Sequence, residues 1–256
     1  MLIDSHAHLV FDNKYNLEMF ENMEEQGLEK IINIGTDAFD SAKGVELAHS
    51  TDNIYTTVGI HPEYVDKVGQ NDLQIIDQLA NSNKVVAIGE IGLDYHYTKQ
   101  NIEAQKKLFI EQIKIAHKHD LPICVHTRDA KEDTYQILKE YSHLIKKPSV
   151  MHCFSEDREY ALKFLELGFV LSFAGNITYK KSDRTFLKEI PIDKILVETD
   201  SPFLSPEPLR GRRNIPANVK YTAQKIADVL EIDYNTFAKQ TLDNTYNVFT
   251  KMKRDV

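Results

Sequence analysis

Short runs of β-branched and apolar residues alternate along the chain with longer segments in which apolar positions recur every three or four residues. Such alternation predicts repeated βα units rather than separate helical and sheet domains. Eight strands are expected, centred on Leu2 to Asp4, Lys30 to Ile34, Ile54 to Ile60, Val85 to Ile88, Pro122 to Val125, Ser149 to Met151, Phe169 to Ser172 and Ile195 to Glu198. The segments between them are amphipathic. In Glu103 to His119, for example, Leu108, Ile110, Ile113, Ile115 and Ala116 gather on one side and lysines and acids on the other. Two more helices are predicted past the eighth strand, Ala217 to Leu230 and Tyr234 to Phe249. Ser41, Asp72, Asp157 and Ser182 are the expected helix starts, and Gly27 and Gly168 the expected stops.

Eight such units within 256 residues match the size and count of an α/β protein of the (β/α)8 TIM-barrel kind, as one domain over residues 1–256 with additional C-terminal helices. A doubly wound open sheet would more often open on a glycine-rich turn. Neither GxGxxG nor GxxxxGK[ST] occurs, so nucleotide binding through those loops has no support. No Pro-, Gly- or Ser-rich linker interrupts the chain.

Composition narrows the function classes. An apolar fraction of 42% supports a substantial core, and no apolar run reaches the ~18 residues that would span a bilayer. The formal net charge of −8 argues against a bulk electrostatic nucleic-acid binder and leaves room for a local basic patch. Asp4 and His6 stand where a signal peptide needs a basic and then an apolar stretch, so export by that route is not expected. Cys124 and Cys153 sit in apolar runs without CxxC spacing and read as reduced thiols of a cytoplasmic protein. Nothing in the sequence marks an obligate protein partner.

The chemistry is positional. Strand one ends in His6-Ala7-His8, strand three in His61, strand four in Glu90, strand five in His126, strand six in His152 and strand eight in Asp200. Active sites of this barrel lie at the carboxyl ends of the strands, so these residues are expected at one mouth. His6 and His8, two apart in extended backbone, point to one side, and Asp4 is expected on the same inward row. Taken alone, His6 and His8 also read as surface or turn histidines, and His126 and His152 as core imidazoles bonded to a carbonyl; the set does not. Mixed imidazole and carboxylate donors suit Zn, Mn, Fe or Ni, and Mg with water; with only two cysteines an all-thiolate site is excluded. Four histidines with Glu90 and Asp200 exceed one tetrahedral ion that keeps an open position, whereas two divalent ions (Mg, Mn or Zn) sharing a carboxylate would use them all. Glu90 is the expected bridge, Asp200 the residue that steers the attacking water, and Glu198, one layer deeper, either orients that water or fills a hydrogen-bonded layer, the supporting role behind the metal being favoured.

Cations are expected near the same mouth: Arg128 past strand five, Lys180, Lys181 and Arg184 past strand seven, and Arg210, Arg212 and Arg213 past strand eight. Tyr95, Phe154 and Phe203 are placed either to stack on a base or to pack. His49, His117, His119 and His143 read as surface residues, and His96 stays open.

Asp4-Ser5-His6-Ala7-His8, Gly59-Ile60-His61-Pro62, Gly89-Glu90-Ile91-Gly92-Leu93-Asp94-Tyr95, Val125-His126-Thr127-Arg128-Asp129-Ala130, His152-Cys153-Phe154-Ser155 and Glu198-Thr199-Asp200-Ser201-Pro202 together resemble the TatD-type metal-dependent deoxyribonucleases, a branch of the amidohydrolase superfamily. The resemblance runs in order over essentially the whole chain. It implies a metal-dependent hydrolase with DNA as substrate and 3′ exonuclease action. It also implies that His6, His8, Glu90 and Asp200 serve one metal, that Glu90, His126 and His152 serve the second, and that His61 binds substrate phosphate. Arg210-Gly211-Arg212-Arg213-Asn214 is similar to the family's basic loop. Two other readings share these residues: a superfamily hydrolase of a small amide, lactone or phosphoester, and a metal-binding module without catalysis. Glu90, in place of the modified lysine that many such amidases carry, and the basic loop separate the nuclease reading from the amide, lactone or phosphoester hydrolase.

Overall fold

The computed structural model describes residues 1–10, 22–97, 99–180 and 184–254. All eight expected strands form: β1 (Leu2–Ala7), β2 (Leu28–Asn33), β3 (Ile54–Val58), β4 (Val85–Asp94), β5 (Ile123–Arg128), β6 (Val150–Met151), β7 (Val170–Phe173) and β8 (Ile195–Val197). They pair in chain order, each parallel to the next, in a nearly closed eight-stranded barrel. The β8–β1 seam is joined by a bridge between Ala7 and Ser201, with His8 N–H on Ser201 O at 2.8 Å and Asp200 N–H on His6 O at 2.9 Å. The closure therefore falls on the backbone of the predicted site residues.

The helices are α1 (Ala38–His49), α2 (Asp72–Leu79), α3 (Ile102–His119), α4 (Lys131–Glu140), α5 (Arg158–Glu166), α6 (Val219–Leu230) and α7 (Tyr234–Val248). Among the described residues, β7 and β8 are joined by short 3-10 turns rather than by an α-helix; the predicted start at Ser182 lies outside those residues. Asp157 caps α5 as expected, accepting from Tyr160 N–H, and Gly27 and Gly168 take the positive φ of chain reversals. Ser41 is a correction: Asp37 caps α1, and the buried Ser41 hydroxyl bonds Gly59 just past β3. Asp72 opens α2, where its carboxylate accepts from Gly69 N–H.

One buried cluster takes a residue from every strand, including Ile3, Ile32, Tyr55, Val86, Cys124, Val150, Val170 and Leu196, and is joined by Tyr246, Val248, Phe249 and Met252. A set drawn from all eight strands is the barrel interior, and the C-terminal segment seals it at the amino-terminal end. A larger cluster between strands and helices completes the core. Because strand side chains alternate, the residues two beyond Cys124, Val150 and Leu196 share the inward rows, and these are His126, His152 and Glu198.

Strand β4 runs six residues further than its apolar pattern predicts, to Asp94. Gly92 makes this possible: at φ +142°, a Cβ there would lie 2.0 Å from His126 O, so only glycine lets β4 run beside β5 at the height of the site.

Candidate metal centre

Six of the predicted donors meet in one cup around the buried Glu90. Glu90 Oε2 faces His6 Nε2 at 3.3 Å and His8 Nε2 at 3.8 Å, and Asp200 Oδ1 lies 3.7 Å and 3.2 Å from the same two nitrogens. Glu90 Oε1 faces the other way, 2.8 Å from His126 Nδ1, 3.0 Å from His152 Nε2 and 3.5 Å from His61 Nε2. The two carboxylate oxygens thus address two groups of imidazoles. His6 and His152 join the groups, their rings stacked with centroids 3.8 Å apart.

Local backbone aims these side chains. Ile3 belongs to the interior cluster and Ser5 bonds Ser172 within the barrel, yet His6 and His8 both enter the cup; a register shift between Asp4 and Ala7 moves the inward row by one. Asp4 is accordingly a correction. It lies off the inward row, where its carboxylate accepts from Thr199 N–H at 2.8 Å, from the Thr199 hydroxyl and from His6 N–H, tying β1 to the Asp200 segment. Asp200 has a left-handed backbone, φ 55°, a conformation that aspartate tolerates better than most residues.

Electrostatics favour charged carboxylates among partly neutral imidazoles. Burial opposes the charge on Glu90, but His152, His61 and His6 nearby and the His126 hydrogen bond overcome it and hold the carboxyl well below its usual range. Asp200 is likewise lowered, against its burial, by His8 and His152. Burial and the stacked His152 keep His6 below the ordinary imidazole value. His152 moves the other way, well above it, because Glu90 and Glu198 outweigh its burial.

The donor set fits a divalent cation. Both ring nitrogens of His6 are buried without a hydrogen-bond partner, and Nε2, though close to Glu90, is out of line for a bond. Unpaired buried polar atoms are costly and call for an explanation; a lone pair facing two carboxylates is what a cation satisfies. His6, His8 and Glu90 can converge on one ion, as can His6, His152 and Glu198, or His61, Glu90 and His126, the donor atoms of each group lying within 4.8 Å of one another. Glu198 accepts from Cys153 N–H at 2.8 Å and faces His152 Nδ1 at 3.0 Å, so its observed partners are an imidazole and a backbone N–H. In His61, Nδ1 accepts from Glu63 N–H at 3.2 Å, so the neutral ring carries its proton on Nε2 and, although close enough to the His126 group, faces the cup as a hydrogen-bond donor rather than as an ion ligand.

The rim is more selective than the sequence suggested. Arg128 is exposed and stacks on Tyr97, its guanidinium 5.2 Å from the ring centroid; Arg210 stacks on Tyr179 at 4.3 Å. Arg212 and Arg213 are exposed on the loop after β8. Arg184 is structural, donating to the carbonyls of Ile177 and Tyr179. Lys180 is exposed, and Lys181 lies outside the described residues. Of the three aromatics, Tyr95 is buried and bonds Asp133, and Phe154 is buried among Phe164, Phe173 and Phe186. Of the three, Phe203 alone is exposed, at 47%, with its ring edge-on to His8 at 5.9 Å. His96 pairs with Asp129 on the rim. Asp94, absent from the predicted site, lies 2.9 Å from His126 Nε2.

A parallel (β/α)8 barrel with imidazoles and carboxylates converging at the carboxyl ends of its strands defines a hydrolase of the metal-dependent class. More particularly, the chain belongs to the TatD family: the sequence profile described as "TatD related DNase" matches residues 3–250. The Bacillus subtilis protein YabD, named an uncharacterized metal-dependent hydrolase, is 40% identical over 254 residues, covering 97% of this chain and 99% of its own. Escherichia coli YcfH, named likewise, is 39% identical over 206 residues, covering 80% and 77%. Among solved structures, the TatD homologue YJJV of Escherichia coli superposes with a TM-score of 0.91 at 28% identity, over 97% of this chain and 98% of that one. An organophosphorus hydrolase of Deinococcus radiodurans shares the fold, with a TM-score of 0.64 at 13% identity over 97% and 92%. No helix among the described residues is long and apolar enough to cross a membrane.

Proposed function

We propose that the protein is a cytoplasmic deoxyribonuclease that cleaves phosphodiester bonds from the 3′ end of DNA with two divalent metal ions. The observation that carries this reading is the rim. On a chain of net charge −8, Arg128 ends strand β5, and Arg210, Arg212 and Arg213 lie on the loop that follows β8. The exposed aromatics Phe39, Tyr97 and Phe203 lie just past β2, β4 and β8. Cations for phosphates and exposed rings for bases are the two contacts a nucleic-acid strand needs.

His6, His8, Asp200 and Glu90 Oε2 would hold one ion, and His126, His152 and Glu90 Oε1 the other. When bound, such ions supply Lewis acidity, lowering the pKa of water and offsetting charge on a phosphoryl group. The chain's residues do the rest. Asp200, ionised at neutral pH, takes the proton of the attacking water. Glu198 holds the His152 ring in place from behind. His61 donates a hydrogen bond from Nε2–H to a phosphoryl oxygen, and the arginines bind the flanking phosphates.

The test uses chelator-stripped protein given Mg, Mn or Zn and offered end-labelled single-stranded DNA, a generic phosphodiester, a lactone and a small amide. Metal-dependent shortening of the labelled strand, with the last two untouched, is expected. Turnover of lactone or amide without DNA cleavage would overturn the nuclease reading in favour of another superfamily hydrolase, and metal binding with no turnover would reduce the protein to a binding module.

A further inference from the structure

Asp94 closes strand β4 and is buried, 3% exposed. Its Oδ2 sits behind the His126 ring, 2.9 Å from Nε2, while Glu90 Oε1 lies 2.8 Å from Nδ1 on the side of the cup. Asp94 is itself fixed at three further points. Its Oδ1 accepts from His96 N–H at 2.9 Å. Gln105 of α3 closes a pair of bonds on its main chain: Asp94 N–H donates to Gln105 Oε1 at 2.8 Å, and Gln105 Nε2–H donates to Asp94 O at 2.8 Å. Gln105 is fully buried and also donates to Asn101 Oδ1.

Seven residues on, about two helical turns along the same face, Gln112 makes the same closed pair with Ile60, at 2.7 and 3.0 Å, directly before His61. Two buried amides on the core-facing side of α3 each mimic a neighbouring strand at the point where a real strand ends. An aliphatic residue there would fill the space and leave a buried N–H and C=O unpaired.

We propose that Asp94 is the positioning residue of His126, and that α3 keeps Asp94 in register through Gln105. A neutral imidazole has one N–H and one lone pair, and turning the ring over exchanges which nitrogen faces the cup. A carboxylate behind Nε2 keeps the proton there, so Nδ1 presents its lone pair beside Glu90. His152 is pinned by the same logic with the nitrogens reversed: Glu198 lies behind Nδ1 and Nε2 faces Glu90. The two imidazoles on the Oε1 side of Glu90 thus reach it through different nitrogens, each with its own buried carboxylate behind. Carboxylates in this position orient metal-binding histidines and raise their basicity, and their loss typically weakens metal binding about 10–100-fold.

The experiment compares wild type, Asp94→Ala and Asp94→Asn, with circular dichroism to confirm folding. Zinc titration by calorimetry is expected to show affinity weakened about 10–100-fold in Asp94→Ala, with most of it recovered in Asp94→Asn, which keeps an acceptor oxygen of the same reach. Nitrogen-15 imidazole spectra of the zinc-loaded wild type are expected to show His126 protonated at Nε2. In the metal-free wild type a His126 Nε2–H protected from solvent exchange is expected, and Asp94→Ala loses it. Wild-type zinc affinity and a protected Nε2–H in Asp94→Ala would overturn the proposal, as would a wild-type His126 that lacks the Nε2 proton and carries one at Nδ1 instead. If Asp94→Ala does not fold, the Asp94→Asn spectra decide alone: a retained Nε2–H supports the role and an Nδ1–H tautomer contradicts it. The metal-free spectra read ring positioning even if zinc fails to bind, so failure of the metal reading is distinguishable from failure of this one.

Discussion

At the amino-terminal end of the barrel the inward rows carry Cys124, Val150 and Leu196, and Phe249 and Met252 seal them from below. One step of two residues along the same strands, the rows carry His126, His152 and Glu198. The lower end gains free energy by removing apolar surface from water, and the upper end spends part of it burying ionised carboxylates and imidazoles. Holding shape and doing chemistry are therefore separated along one axis, and a substitution at either end should move one property and leave the other.

The sharpest break in that comparison comes from Glu90→Gln. Losing the charge that both groups of imidazoles share is expected to lower DNA cleavage by at least about 10²–10³-fold, the loss typical of one preorganised electrostatic group, with the circular dichroism spectrum unchanged. Near-normal cleavage would remove Glu90 from the chemistry.

At the other end, Phe249→Ala leaves a cavity under the barrel. Chemical denaturation is expected to show a loss of about 3–5 kcal/mol, while activity per folded molecule stays close to wild type. A large fall in activity at full folding would show that the lower layer also sets the geometry of the cup. The smallest effect belongs to the rim, where Arg212→Ala is expected to lower by about one the slope of log affinity for DNA against log salt. Fluorescence anisotropy at several salt concentrations measures it, and an unchanged slope takes Arg212 off the phosphate path.

The sequence carried the upper end better than its surroundings. Six donors at matched heights on five strands were visible because each strand end follows an apolar run, and the structure brings them together at Glu90. What it hid depends on local departures from regular geometry. Strict alternation put Asp4 beside His6, but a register shift in β1 sends Asp4 to Thr199 instead. The apolar run of β4 stops at Ile88, which leaves Asp94 outside the expected strand; two glycines, among them Gly92, carry the strand on past that point. Gln105 and Gln112 are polar, and a pattern that sorts helix faces by polarity sends them outward. They are nonetheless more buried than Ile110 and Ile115 on the same helix, because their amides substitute for missing strand neighbours. The spacing of Gln105 and Gln112 by two turns was the one signal available. Tyr95 and Phe154 beside the strand ends could not be told from stacking residues until their partners, Asp133 and an aromatic cluster, were seen.

The central claim is that Glu90 joins two cation positions in one cup. Crystals grown with manganese and a short 3′-ended oligonucleotide, measured at the manganese absorption edge, test it most directly. Two anomalous peaks are predicted, one beside His6, His8 and Asp200 and one beside His126 and His152, with the Glu90 carboxylate between them and the terminal phosphate facing both. A cup without manganese, or a single peak with one of these imidazole groups left unligated, would contradict it.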